Sequence, residues 1–474
     1  MLTLADALEA LTNFRPIATT VITEAVIDSR QVIPGSLFVA VPGEKVDGHD
    51  FIEEAFRRGA SFALIQRDVN GSFRSLDLRA VSAVDALPRE NLVPPLCLRV
   101  ENTIAALQQI ARYWRRKLDL RVIGITGSVG KSTTKELVAE VLSTRYRTLK
   151  SPGNLNNEIG LPLTMLRLSS GYQYAVFEMG FYVPGEIAFL CDIALPQIGV
   201  VTNVGTVHAE RAGSQEAIAR GKAELVQSLP QSPEGVAILN FDDPWVRQME
   251  EKTRSRIFFY GLSREANLWA DDVTGLGLEG IRFRLHYLGE TLHVRIPLIG
   301  RHSVHTALRA AAVGLVEGLN WQEILEGLNQ GHTQLRLAAV RSQTGALLLD
   351  DTYNASPESM LAALTLLDEL EGRKVAVLGD MLELGPYERG GHEMVGLRAA
   401  QVANVLLTLG ERAHLIAEAA RRAGMKKSAI LEFDEFESLM EWLKLNLTKD
   451  DVVLVKGSHG LRMDRITSLL ETRS

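Results

Sequence analysis

Hydrophobic positions along this chain change rhythm three times, and each change marks a structural unit. In MLTLADALEALTNF, Leu4, Leu8 and Leu11 recur at helical spacing while Asp6 and Glu9 break the apolar run, which predicts an amphipathic helix and not a signal peptide. Short β-like runs follow: AVIDSR ending at Arg30, SLFVAV at 36–41, FALIQ at 62–66 and LCLRV at 96–100, with a helix after Asp50. They predict a small α/β unit over 1–110. From Arg121 the strands RVIGIT, YAVFEMG and QIGVVTN are continuously apolar and are followed by helices, the pattern of a parallel sheet covered on both faces. Between 262 and 297 the sequence alternates, as in IRFRLHYL and LHVRIPL, so an antiparallel addition is expected before a helix beginning near His302. The pattern does not say where on the sheet it joins.

After Leu337 the alternation of strand and helix is regular: LLLDD, a helix after Pro357, KVAVLGD, a helix near 391–402, NVLLTLG, a helix near 414–423, AILEF, a helix, DVVLVKG and a last helix. Five such strands predict a doubly wound, Rossmann-like sheet, which places ligands outside the carboxyl ends of its strands. Asp351, Asp380 and Lys456 stand at such ends. The expected fold class is therefore α/β with three units: 1–110, a central parallel-sheet unit over 111–325, and a doubly wound unit over 326–474.

Composition agrees with that division. A chain of 474 residues with 46% apolar and 23% charged positions is long enough for about three cored domains, and is neither disordered nor collagenous. Its net charge of −7 supplies no broad positive field, so nucleic acid is not an expected partner and a polyanionic ligand must be held locally. The longest apolar runs are too short to span a bilayer, so no membrane insertion is expected. Cys97 and Cys191 lie far apart beside apolar residues, as buried thiols of a reducing compartment would. A cytoplasmic location is expected.

The sharpest chemical signal is GITGSVGKSTTKELVAEVL. A strand runs through Thr126 into Gly127, Ser128, Val129, Gly130, Lys131, Ser132 and Thr133 and straight into a helix. Glycines there let backbone N–H groups approach phosphate oxygens, the helix N-terminus adds partial positive charge, Lys131 reaches the outer phosphates, and Ser132 can ligate Mg²⁺. The central unit is therefore expected to be a P-loop ATPase domain, although the common G-x-x-x-x-G-K-[ST] spacing is broken by Ile125. Glu178 ends a neighbouring strand, where a P-loop enzyme needs a metal ligand or a group that orients water. His208 follows the third strand beside Thr202 and Asn203, and a neutral imidazole there can complete a second Mg²⁺ or Mn²⁺ site. The segment Ser151 to Glu158 is crowded with amide side chains, which suit either a polar ligand or a turn. Lys222, in ARGKAELV, has no special spacing and on its own reads as a solvated helix lysine.

Together these residues resemble the Mur ligases of peptidoglycan synthesis. The likeness runs through IDSR and LFVA-PGE-DGH-F in the first unit, TGSVGKS and GN-NN-IG-PLT in the second, and DDTYNASPESM, VLGDMLELG and VKGS in the third. The wording DDTYNASPESM resembles the branch that adds D-Ala-D-Ala. The resemblance implies an ATP-dependent amide ligase whose substrates are UDP-N-acetylmuramoyl-tripeptide and D-Ala-D-Ala, acting through an acyl phosphate, and a monomer is expected. The alternatives are a sister ligase adding a single amino acid, or a nucleotide-binding regulatory module that hydrolyses ATP slowly.

Residue by residue, the resemblance implies catalytic roles for Lys131, Glu178, His208, Lys222, Arg336 and Asp351. It makes Ser132 and Glu178 ligands of one Mg²⁺ and His208 a ligand of a second, with Lys222 carbamylated. ATP contacts are expected from Thr126 through Thr133 and from Asn154, Asn157, Asn203, His302, Arg336 and Asp351. Asp28, Ser29 and Arg30 match the region that holds the UDP-sugar, and Asn354, Ala355 and Asp380 are expected on the dipeptide side. In Gly300-Arg301-His302-Ser303-Val304-His305-Thr306, Ser303 and Thr306 stand where the family usually has Asn, and Gln334-Leu335 precede Arg336 where a Pro-Gly pair is common.

Overall fold

The computed structural model describes residues 1–43, 46–69, 73–79, 92–330 and 338–471. Three sheets succeed one another along the chain. The first has the order Ala25–Val26, Leu37–Val39, Phe62–Ile65, Leu96–Arg99, Arg74–Asp77, with every pair parallel. Its last strand was not expected from the sequence, because RSLD carries a single buried apolar residue, Leu76.

The central sheet has nine strands: Glu290–Ile296, Ile281–Tyr287, Leu268–Gly275, Arg256–Gly261, Val236–Asn240, Ile198–Val201, Arg121–Thr126, Tyr174–Glu178 and Thr148–Lys150, from edge to edge. The alternating segment extends one edge. Leu268–Gly275 pairs parallel with Arg256–Gly261, and the two strands beyond it pair antiparallel. Ile281, Phe283 and Leu285 are buried on one face of that hairpin, which is what a period of two requires of a sheet covered on one side.

The third sheet runs Ala338–Arg341, Leu347–Asp350, Asp451–Lys456, Arg373–Gly379, Val405–Leu409, Ile430–Phe433. The last five are parallel, and the first is an antiparallel edge. The final strand in sequence inserts between the first two parallel ones, which sets Lys456 beside Asp351 at their carboxyl ends.

Core packing divides the molecule less evenly than the sheets do. One apolar cluster runs from Leu4 and Leu8 through Leu37, Leu64 and Leu98, across Ile110 and Trp114, to Val122, Phe177 and Leu225. The first and central units thus share a core. The bridge is helix Thr103–Lys117, capped by Asn102, and it runs across position 110, where the first unit was expected to end. Position 325 likewise falls inside helix Trp321–Asn329. The third unit keeps separate clusters on its two faces, with Ile299 of the preceding segment packed against one of them. Cys97 and Cys191 are free and buried. Among the described residues, no helix is long and apolar enough to cross a membrane.

Candidate functional site

The turn between strand Arg121–Thr126 and helix Lys131–Ser143 is built on two glycines of positive φ, Gly127 at +144° and Gly130 at +85°. A Cβ on Gly127 would run into the Thr202 hydroxyl, so only glycine lets the loop lie against the next strand end. That strand end shapes the loop. Asn203 Oδ1 accepts from the Val129 N–H at 2.9 Å, its Nδ2 donates to the Val129 carbonyl at 3.1 Å, and the Thr202 hydroxyl donates to the same carbonyl at 2.7 Å. Ser128 Oγ accepts from the Gly205 N–H at 2.8 Å. Thr126 is buried behind the loop, its hydroxyl on the Met179 carbonyl. No side chain caps the helix that follows, so its first N–H groups face the cleft as an anion site. Lys131 Nζ folds back over the loop onto the Gly127 carbonyl at 2.9 Å.

Glu178 is buried at the end of its strand and holds two partners. Oε2 accepts from the Ser132 hydroxyl at 2.5 Å, and Oε1 accepts from Asn156 Nδ2 at 2.9 Å. Two hard oxygens, one from a P-loop serine and one from a carboxylate, thus converge as a Mg²⁺ site requires. Asn156 was not singled out from the sequence. Asn154 and Asn156 line the cleft, while Asn157 turns away to accept from the Gly160 N–H at 2.8 Å and start a helix. The alternation of cleft-facing amides at 154 and 156 was the signal available.

His208 takes φ +70° at the start of a short helix. Its Nδ1 pairs with Glu383 Oε2 of the third unit at 2.7 Å, and its ring meets Tyr182 edge-on, with centroids 4.9 Å apart. Burial, against the pull of Glu383, pushes its pKa down to about 4. The imidazole is neutral at neutral pH, and Nε2 is free to act as a ligand atom when Nδ1 carries the proton.

Lys222 is not the solvated lysine its spacing suggested. It is 1% exposed in helix Gln215–Gln227, and its Nζ lies over the Phe181 ring at 4.9 Å. Among the described residues it has no carboxylate partner. Burial, with the charge of Lys131 added, holds its pKa well below the ordinary lysine value, so the folded chain favours the neutral, nucleophilic amine. Gly221 makes room for this, because a Cβ there would strike Phe181.

Across the cleft stand residues of the third unit. Lys456, buried, pairs with Asp351 Oδ2 at 2.7 Å and donates to the Asn354 carbonyl at 2.9 Å. Asp351, Asn354 and Ala355 line a cleft of about 540 Å³ with residues 128–133, Glu178, Asn203, His208, His302 and Arg309. Asp380 is a correction. Its carboxylate is turned inward, accepting from the Ala413 N–H at 2.7 Å beneath helix His414–Arg422, and does not line the cleft. Asp28, Ser29 and Arg30 lie in the first unit, outside this cleft. Asp28 caps the turn Ser29–Gln31 and binds Arg30 at 2.8 Å, while Ser29 donates to Glu54 at 3.0 Å. Arg336 lies outside the described residues.

Fold and cleft together define a P-loop α/β protein in which a doubly wound unit faces the phosphate loop. Comparison with known proteins narrows this class. The description "Mur ligase family, catalytic domain" matches residues 21–115, "Mur ligase middle domain" matches 125–314, and "Mur ligase, glutamate ligase domain" matches 335–459. The UDP-N-acetylmuramoyl-tripeptide–D-alanyl-D-alanine ligase of Bacillus subtilis is 35% identical, over 94% of this chain and 93% of its own. A crystal structure of MurF from Acinetobacter baumannii superposes with a TM-score of 0.82 at 29% identity, covering 98% of both chains. MurF ligase from Thermotoga maritima, solved in complex with ADP, gives a TM-score of 0.78 at 29% identity over 97% of each chain. The chain belongs to the Mur ligase family, and these three relatives carry the name of its D-alanyl-D-alanine-adding branch.

Proposed function

We propose that the chain is an ATP-dependent ligase joining D-Ala-D-Ala to the terminal carboxylate of UDP-N-acetylmuramoyl-tripeptide, to give the pentapeptide precursor of peptidoglycan. The observation that carries this reading is the single cleft in which the P-loop, with Ser132 hydrogen-bonded to Glu178, faces Asp351, Asn354 and Lys456 of the third unit. A carboxylate and an amine do not condense in water at useful rates. Transfer of the γ-phosphoryl group to the tripeptide carboxylate gives an acyl phosphate and ADP; the dipeptide amine then attacks the acyl carbon and phosphate leaves.

The first step gathers anionic oxygens at one place. Lys131, the loop N–H groups and the open helix N-terminus provide fixed countercharge there. Ser132 and Glu178 would hold Mg²⁺, which supplies Lewis-acid neutralisation of the phosphates. For a second ion, His208 offers Nε2. Among the described residues no three His, Cys, Asp or Glu side chains converge, which suits an ion completed by substrate oxygens and water. The Lys222 amine, whose charged form burial disfavours, is suited to carbamylation, which would place an anion in the site of Lys131. Asn354 and Ala355 are assigned to the dipeptide side, and Asp28, Ser29 and Arg30 to the nucleotide-sugar in the first unit.

The test is phosphate release from ATP and Mg²⁺. The reading requires release that depends on both UDP-N-acetylmuramoyl-tripeptide and D-Ala-D-Ala and is abolished in Lys131→Ala. Release with a single amino acid on a shorter peptide would make this a sister ligase. Release indifferent to every substrate would make it a nucleotide-binding module.

A further inference from the structure

Helix Ser303–Val316 enters the core with Ala307, Leu308, Ala310, Ala311, Ala312 and Val313 buried, yet among them sits a cation, Arg309, only 4% exposed. Taking a guanidinium out of water carries a cost that a paired anion normally offsets. Among the described residues no carboxylate is paired with Arg309. Of its five N–H groups, one donates to the Thr306 hydroxyl at 2.8 Å and one reaches the Tyr260 hydroxyl at 3.4 Å, while Nε has no partner among the described residues. Carboxylates near Tyr260 are already engaged: Asp242 with His305 at 2.8 Å, and Asp243 with the backbone N–H groups of Val204, Trp245 and Val246. Arg309 lines the cleft. Its Nη2 lies 3.1 Å from where a Cβ would stand on Gly130, the residue that opens the P-loop helix.

We propose that Arg309 binds the phosphate chain of the nucleotide, extending the anion cradle of the loop from the side of helix Ser303–Val316. This deepens the nucleotide-site reading above and rests on it. A planar fork with unused donors matches phosphate oxygens, and the anion that would offset its burial arrives with the ligand. The absence of a side chain on Gly130 keeps the guanidinium close to the loop.

Calorimetric titration of the full chain with ADP and with adenosine tests this, using wild type, Arg309→Met, Arg309→Lys and Lys131→Ala. Arg309→Met keeps the apolar stem, and should weaken ADP roughly ten- to a hundredfold while adenosine binds as to wild type. Arg309→Lys keeps the charge but not the fork; it should lose ADP affinity severalfold with adenosine again unchanged, and it decides the matter if the Met variant does not fold. Wild-type ADP affinity in either folded variant overturns the proposal. So does an equal loss of ADP and adenosine, which would make Arg309 a support of the base pocket. If wild type itself fails to bind ADP, or Lys131→Ala binds it normally, it is the nucleotide-site reading that falls.

Discussion

His208 of the central unit and Glu383 of the third are joined directly, Nδ1 to Oε2 at 2.7 Å, and both hold positive φ, +70° and +63°. Non-glycine residues adopt that conformation at a cost of about 1 kcal/mol or more each, and keep it where the surroundings over-determine it. Here the surroundings are each other: Arg211 also approaches Glu383 at 3.6 Å, and a Cβ on Gly385 would meet the backbone of Glu210. The third unit has its own core, and this contact, with those of Glu210 to Glu383 and Gln215 to Tyr387, ties its position to the central site.

Glu383 should therefore act as a positioning residue for His208. Glu383→Ala is expected to lower kcat about 10- to 100-fold, the usual range for the carboxylate partner of a ligand histidine, and Glu383→Gln less. ADP affinity should stay within about twofold of wild type, because the loop is held by Thr202 and Asn203 and not by Glu383. Phosphate-release kinetics alongside ADP calorimetry separate the two effects.

Gly127→Ala tests the loop itself. The new methyl group needs both the space of the Thr202 hydroxyl and a backbone at φ +144°. A loss of more than about 2 kcal/mol in urea unfolding is expected, with ADP binding abolished.

The loop was legible in the sequence because its signal is local: an apolar strand, two glycines, then Lys131 and Ser132 within six residues. Glu178 was legible as a strand end, and His208 as a residue of the loop that follows the next strand. Edge strands Arg74–Asp77 and Ala338–Arg341 were not, since RSLD has one apolar residue and AAVR shows no alternation and is mostly exposed. Lys222 shows the limit of spacing most clearly. Nothing in ARGKAELV says that Lys222 lies on the buried face of its helix, and the glycine beside it gains meaning only once Phe181 is seen against it. Asp380 failed for the opposite reason. It occupies the right strand end, but the Ala413 N–H holds the carboxylate inward and Gly410, lacking a Cβ, leaves room for it.

The interface between the first helix and Thr103–Lys117 should respond to acid. Burial raises the Asp6 pKa, but hydrogen bonds from Thr3, Arg15 and Lys117 prevail and hold it at about 2. A carboxylate depressed in the fold contributes stability that is fully present above its unfolded pKa near 4 and is lost as pH falls towards 2. Asp6→Asn should cost about 1–2 kcal/mol at pH 7 after allowance for the partly exposed Arg15. The difference from wild type should close as pH falls from 4 to 2, as followed by urea unfolding across that range.

Lys222 yields opposite predictions for activity and for stability. Burial disfavours the charged form of its amine in the fold, whereas in the unfolded chain it is protonated below about pH 10.4. Over the interval between its depressed folded pKa and that value the unfolded chain binds more protons, so stability rises with pH and the buried amine costs stability at pH 7. Lys222→Met should then be more stable than wild type at pH 7 in CO₂-free buffer, with the gap closing above pH 10–11. Ligase activity should nevertheless fall at least about 100-fold, because the methionine can accept no carboxyl group. In wild type, CO₂-free dialysis should lower activity and bicarbonate should restore it. Labelled bicarbonate should give a carbamate ¹³C resonance that Lys222→Met lacks. Full activity in the methionine variant would exclude a carbamate from the mechanism, whereas activity loss without any bicarbonate response would leave Lys222 acting as an amine.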